Sequence, residues 1–177
     1  MVEVLVTIII LSVGMLGAVG MQAAALRSNK EARNQAIAGT MARELAEKMR
    51  GNHTISILTS ALSNPYLIDT TLTAPVPAPT PNCFSVGCPA VLDVAAWDIA
   101  DWQTRVEATL PTPRVRTCFD QTPFDASGNA VWDCSNTGDI AVLKMSWTRN
   151  NTAGTLEFAN VNGRPAIVIP LTAGSTE

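Results

Sequence analysis

Residues 1–50 read MVEVLVTIII LSVGMLGAVG MQAAALRSNK EARNQAIAGT MARELAEKMR, and this stretch decides the fold. From Val4 to Leu26 it carries no charged side chain. A run of that length is enough to cross a bilayer, which takes about 20 residues at 1.5 Å each. Ile8-Ile9-Ile10-Leu11 leads into Val13, Met15, Leu16, Val19 and Met21, with Gly14, Gly17 and Gly20 between them. The pairs Gly14/Ala18 and Gly20/Ala24 are four residues apart, a spacing that lets a second helix approach closely. Glu3 stands at the very start of the run, where a signal anchor ordinarily carries Lys or Arg. A carboxylate at membrane depth costs about 2–4 kcal/mol on insertion scales, so it either reaches the interface or meets a cation.

The helical pattern continues past Leu26. Arg27 to Arg50 contains no proline, and Ala38, Met41, Ala42, Leu45 and Met49 recur at spacings of three and four, the stripe of an amphipathic helix. Arg27, Lys30, Arg33, Arg43, Lys48 and Arg50 alternate with Glu31, Glu44 and Glu47 over the rest of that surface, and Glu44 with Lys48 makes an i,i+4 pair. Basic residues followed by Gly51 form a C-terminal stop. The expectation is one helix from about Val2 to Arg50, roughly 70 Å long. Its residues 1–26 suit lipid or a helical bundle, its residues 27–50 suit a domain surface, and residues 51–177 form the domain. Ala23-Ala24-Ala25 has the small side chains of a signal cleavage site. The quoted stretch puts no basic segment before it, however, and amphipathic helix directly after it.

The 177 residues are 47% hydrophobic and 15% charged, with a formal net charge of −3. That balance argues against a general nucleic-acid binder. Four cysteines, Cys83, Cys88, Cys118 and Cys134, lie in the second half. An even count after a membrane segment fits an oxidising compartment. Three pairings are open, and the short spacings favour Cys83–Cys88 with Cys118–Cys134. Zinc is the rival reading, against which stand the missing CxxC pair and the single histidine, His53.

Residues 52–73 read as a connector, and Ala74–Pro81 (APVPAPTP) as extended polyproline-like chain. Ala90 to Leu110 reads as a second helix: Leu92, Ala95, Ala96, Ile99, Val106 and Leu110 share a face, with Trp102 at its edge. Asp93, Asp98, Asp101 and Glu107 are expected on the solvated side, with Asp101 able to pair with Arg105. Strand-like segments follow at Arg114–Phe119, Ile140–Thr148, Thr155–Val161 and Ala166–Leu171. An antiparallel sheet packed on the second half of the long helix gives an α+β domain.

Two further patterns bear on chemistry. Asp125, Ser127, Asn129 and Asp133 have the 1, 3, 5, 9 oxygen spacing of a calcium loop, but the glycine comes early at Gly128 and the twelfth position is Asn136. A turn-rich loop closed by Cys118–Cys134 is the favoured reading. Arg114, Arg116, Lys144, Arg149 and Arg164 could gather into a basic patch, though no stacking motif for nucleic acid stands beside them. His53 reads as a surface residue past a helix end, with no nucleophile and orienting acid to make it catalytic. No cofactor and no small-molecule substrate is called for.

The start, Met1 through Gly17, resembles the N-terminal helix of type IV pilins and of type II secretion pseudopilins, and within that class the PilV-type minor pilins. Trp102-Gln103-Thr104-Arg105-Val106 through Leu110-Pro111, and Val142-Leu143-Lys144-Met145-Ser146-Trp147, are similar to the globular part of PilV-like proteins. The resemblance implies a pilin-like fold in which Glu3 pairs with the terminal amine of an adjacent subunit. It also implies a basic leader removed by a prepilin peptidase and a methylated N-terminus, although no Gly-Phe cleavage site occurs here. The expected partners are other minor and major pilins and a large tip adhesin. The expected setting is the inner membrane with a periplasmic domain, then a surface pilus serving adhesion and twitching motility. The competing expectations are a minor pseudopilin of type II secretion and a periplasmic enzyme tethered by its anchor.

Overall fold

The computed structural model describes residues 2–73, 75–150, 156–158 and 163–171, the side chains of residues 150 and 156–158 excepted. Helix α1 covers Val2–Gly51, and the chain divides into two units between Ala36 and Ile37. In the first unit the helix carries its apolar side chains on the outside: Ile8, Ile9, Ile10 and Leu11 are 53–67% exposed. The only polar side chains between Val4 and Met21 are Thr7 and Ser12. The Thr7 hydroxyl donates to the Val4 carbonyl at 2.8 Å, and the Ser12 hydroxyl donates to the Ile8 carbonyl. Both are satisfied inside the helix, as a segment without water around it requires.

In the second unit the remainder of α1 is followed by a single turn, α2 (His53–Ser56), and strand β1 (Asp69–Thr71). Helix α3 (Val91–Thr109) and strands β2 (Arg114–Phe119) and β3 (Ala141–Ser146) come next. Three short strands, β4 (Thr148–Asn150), β5 (Leu156–Phe158) and β6 (Ile167–Leu171), complete the described chain. The main sheet has the order β1-β2-β3-β6 and is antiparallel throughout, while β4 and β5 form a separate pair. This is the α+β arrangement of an apolar N-terminal helix with a small four-stranded sheet.

Strand alternation sorts the sheet into two faces. Val115, Phe119, Ala141, Leu143, Met145, Ile169 and Leu171 point to one side. There they join Ala38, Ala42, Leu45 and Met49 of α1 and Ile99, Trp102 and Val106 of α3 in a single core. The helical stripe read from spacing is therefore the buried one. Trp102 is a correction: it sits at the centre of the contact, fully buried, with its indole N–H donating to the Met41 carbonyl at 2.8 Å. Leu92, assigned to the same face, is 43% exposed, because α3 has hardly begun where it would have to reach the core.

The other face of β3 is also covered, and all six of its residues are buried. The cover is the loop from Asp120 to Ile140, tied down by the Cys118–Cys134 disulfide; Cys83 and Cys88 close the second one. These are the pairings that spacing favours. Closing a loop of sequence separation 16 lowers unfolded-state entropy by about 3 kcal/mol in the chain-entropy account.

Three strand readings change. Strand β1 lies in the segment read as connector, because three residues are too few to show a period. The stretch read as Ile140–Thr148 ends as β3 at Ser146, and Thr148 opens β4. Of the stretch read as Thr155–Val161, Leu156–Phe158 is strand, paired with β4 and not with the main sheet. Thr155 and residues 159–161 lie outside the described residues, as does Ala74 of the proline-rich segment.

Gly138 has φ +94°, and a Cβ built on it would collide with the Gln121 side chain. Gly138→Ala is expected to lower stability by about 1–3 kcal/mol through the left-handed backbone and this clash. Thermal unfolding checks it, and a melting temperature equal to wild type would contradict it.

Candidate functional site

The N-terminal half of α1 is the first candidate, since α1 is long and apolar enough to cross a membrane. Glu3 lies in its first turn, where the unpaired N–H groups and helix dipole favour a carboxylate. The next basic side chain along the helix is Arg27, about 36 Å away at 1.5 Å per residue. A cation for Glu3 therefore has to come from something other than a side chain of this helix. Around Gly14, Gly17 and Gly20 nothing lies within 4 Å of the added Cβ position, and Ala18 is exposed beside them. The small residues leave a shallow strip that another helix can approach.

In the domain, charged groups of α1 and α3 meet across the two helices. Lys48 of α1 reaches Asp98 at 3.1 Å and Asp101 at 3.4 Å on α3. Arg105 grips Glu44 with two nitrogens and Asp101 at 2.8 Å. The Glu44–Lys48 pair read along one helix is thus replaced by pairs between two helices, because α3 brings opposite charges closer than the next turn does. The Asp101–Arg105 pair is present. Tyr66 is fully buried and donates its hydroxyl to Asp98 at 2.9 Å. Burial, and then the Asp98 charge, push its pKa well above that of an ordinary tyrosine. Burial opposes the charge of Arg105, but the hydrogen bond to Glu44 and the Asp101 charge outweigh it and raise its pKa. These carboxylates are ion-paired, so the solvated acidic face expected of α3 is in part a seam.

Lys144 is the residue whose place sequence reading missed. It is fully buried, with its ammonium 2.6 Å from Asp120 and donating to the Asp133 carbonyl at 2.6 Å. Asp120 also accepts the backbone N–H groups of Thr122 and Ser135 at 3.0 and 3.1 Å. Burial alone would raise the Asp120 pKa; the Lys144 hydrogen bond and the two backbone donors outweigh it and hold the carboxyl below its ordinary value. The basic patch therefore does not form as read. Arg116 and Arg114 lean on Asp69 at 3.3 and 3.8 Å, Arg114 stacks over Trp132 at 4.1 Å, and Arg164 pairs with Asp125 at 2.9 Å. A lysine between Leu143 and Met145 in a strand was the signal available.

In the loop with the calcium-like spacing, Asp125 and the Asp133 carbonyl are engaged by the protein itself. Asp125 accepts the backbone N–H groups of Ser127 and Asn129, both at 2.9 Å, besides binding Arg164. The Asn129 bond first, then the others, lower its pKa. Its carboxylate closes a turn, while the Asp133 carbonyl serves Lys144. Cys118, Asp120 and Cys134 come within 4.8 Å of one another, but the two sulfurs are bonded together and Asp120 holds Lys144, so this cluster is structural. His53 is half-buried in the one-turn α2.

No protein-family model, curated protein or solved structure matches this chain.

Proposed function

We propose that this chain is a structural filament subunit of the type IV pilin kind, a minor pilin of the PilV type, and not an enzyme. The observation that carries the reading is a single helix, α1, with two characters. Its first turns are apolar, exposed and uncharged apart from Glu3, and its last turns form the core of a disulfide-tied domain. Such a segment holds the subunit in the inner membrane, with the domain in an oxidising periplasm, and then exchanges lipid for other helices in a filament core. The open strip at Gly14, Gly17, Ala18 and Gly20 suits that exchange. Glu3 supplies register by meeting the amine terminus of a neighbouring pilin. By resemblance, the subunit joins other minor pilins and a large adhesin in a complex that primes assembly and supports adhesion and twitching motility.

The absence of a catalytic reading rests on how the titratable side chains are used. The acids of the α1–α3 seam and of the Asp120 site are each bound to a lysine or arginine, which leaves them poorly suited to exchange protons with a substrate.

Glu3→Ala is the test. A charge pair removed from water contributes about 2 kcal/mol or more, so incorporation should fall on the order of tenfold or more while the domain keeps its near-ultraviolet dichroism. Isolated pili containing the variant at normal levels would refute the pairing. Co-purification with secretion-system pseudopilins in place of pilus tip proteins would move the subunit to the secretion machinery.

A further inference from the structure

Strand β1 is an edge of the main sheet, and one row of its backbone groups is committed to β2. The Ile68 carbonyl accepts from Thr117 N–H and the Leu72 N–H donates to Pro113, both at 2.8 Å. With Asp69 opposite Arg116 and Thr71 opposite Arg114, alternation turns the N–H and C=O of Asp69 and Thr71 away from the sheet. Among the described residues these groups have no hydrogen-bond partner. They repeat at about 6.8 Å, two residues along a strand.

Beside this edge lies a cleft of about 440 Å³, lined by Ile68, Leu72, Pro75, Val76, Pro77 and Gln103 among others. One wall is thus the strand, one the proline-rich segment and one helix α3. Ile68 and Leu72 belong to the core side of the sheet, so the cleft prolongs the core past its last strand. The opposite side of the edge carries Asp69 and Thr71, and Asp69 is engaged by Arg114 and Arg116. No charged residue occurs from Thr70 to Leu92.

We infer that the β1 edge is a docking site for an extended segment of another polypeptide, which adds to the sheet as a fifth strand. The row of donors and acceptors two residues apart is complementary to strand backbone and to neither a helix nor a lipid surface. The cleft takes apolar side chains on one face of that strand, and the Asp69/Thr71 side takes hydroxyl side chains on the other. The only charged group on its lining is Asp69, which Arg114 and Arg116 already engage, so a charged residue entering between the apolar walls is disfavoured. The occupant is therefore an uncharged strand alternating apolar and hydroxyl residues. This inference is independent of the filament reading: it needs only the folded domain.

The test uses the full chain in detergent micelles and a capped seven-residue peptide alternating valine and threonine. Amide hydrogen exchange, read residue by residue, should show Asp69 and Thr71 fast in the free protein and slowed at least tenfold by the peptide. The same peptide with a central proline, or with lysine replacing the valines that face the cleft, should protect them far less. Thr71→Pro removes an outward N–H, which an edge strand tolerates, so the melting temperature should hold while peptide binding falls at least tenfold. Should that variant unfold, Val76→Asp, on the cleft wall, is the second block. Four results would overturn the inference: no protection at these two amides, protection at the β6 edge, equal binding of the proline peptide, or binding unchanged in the two variants. Protection that grows with protein concentration and needs no peptide would assign the edge to a second copy of the chain, and would also overturn it.

Discussion

Lys144→Ala is expected to be the most damaging single change in the domain, costing about 3–5 kcal/mol. The lysine and Asp120 are both fully buried. Removing the ammonium leaves a carboxylate without solvent and without its counter-ion, under a loop whose position that ion pair helps to hold. The pair as such need not be a large net source of stability, since desolvating two charges offsets much of their attraction. A double variant, Lys144→Met with Asp120→Asn, therefore tests the argument: asparagine keeps the oxygen that accepts from Thr122 and Ser135, and no charge is stranded. Thermal unfolding should show the double variant more stable than Lys144→Ala. If the single change costs less than about 1 kcal/mol, the buried charge is not acting as described.

The same site sets a pH dependence. The folded-state pKa of Asp120 is depressed, so the stability it contributes is present above the ordinary aspartate pKa, about 3.9. It is lost as pH falls through the lower folded-state value. Wild-type melting temperature should thus drop on acidification below about pH 4, and Asp120→Asn should flatten that drop.

Placing a charge on the apolar half of α1 is expected to have the second large effect. Ile10 is 67% exposed within the run that carries no charge. An arginine near the centre of a spanning helix costs about 2.5–3.5 kcal/mol on insertion scales. Ile10→Arg should therefore shift the protein from the membrane fraction toward soluble or degraded material by roughly a hundredfold in the partition ratio. The domain beyond Ile37 should fold as before, since its core contains no residue from this segment. Membrane fractionation, with flotation to separate aggregates, reads the outcome. Normal membrane retention would show that this helix is not the anchor.

Much of the domain was legible in the residues because its main elements obey local periods. The stripe Ala38, Ala42, Leu45, Met49 repeats every turn and is buried. The second helix is expected within one residue of each end, β2 at its observed bounds, and β6 one residue early at its start. Strand β1 was not legible, because a strand of three residues exists only where β2 offers it partners. The inter-helix charge seam was hidden for a related reason: Glu44 and Lys48 satisfy a rule along one helix, and only the approach of α3 offers them better partners.

The sequence by itself determined the quantities that depend on neighbours along the chain. These are the uncharged apolar run, its passage into an amphipathic helix, the strand and turn composition, and the short cysteine spacings that favour local loops. Tertiary structure alone decided which charges meet, that Trp102 is central and not marginal, that Lys144 is sealed beneath a disulfide-tied loop, and that the outward groups of β1 have no partner among the described residues. Those outcomes depend on distances between residues tens of positions apart, which packing sets and no local period encodes.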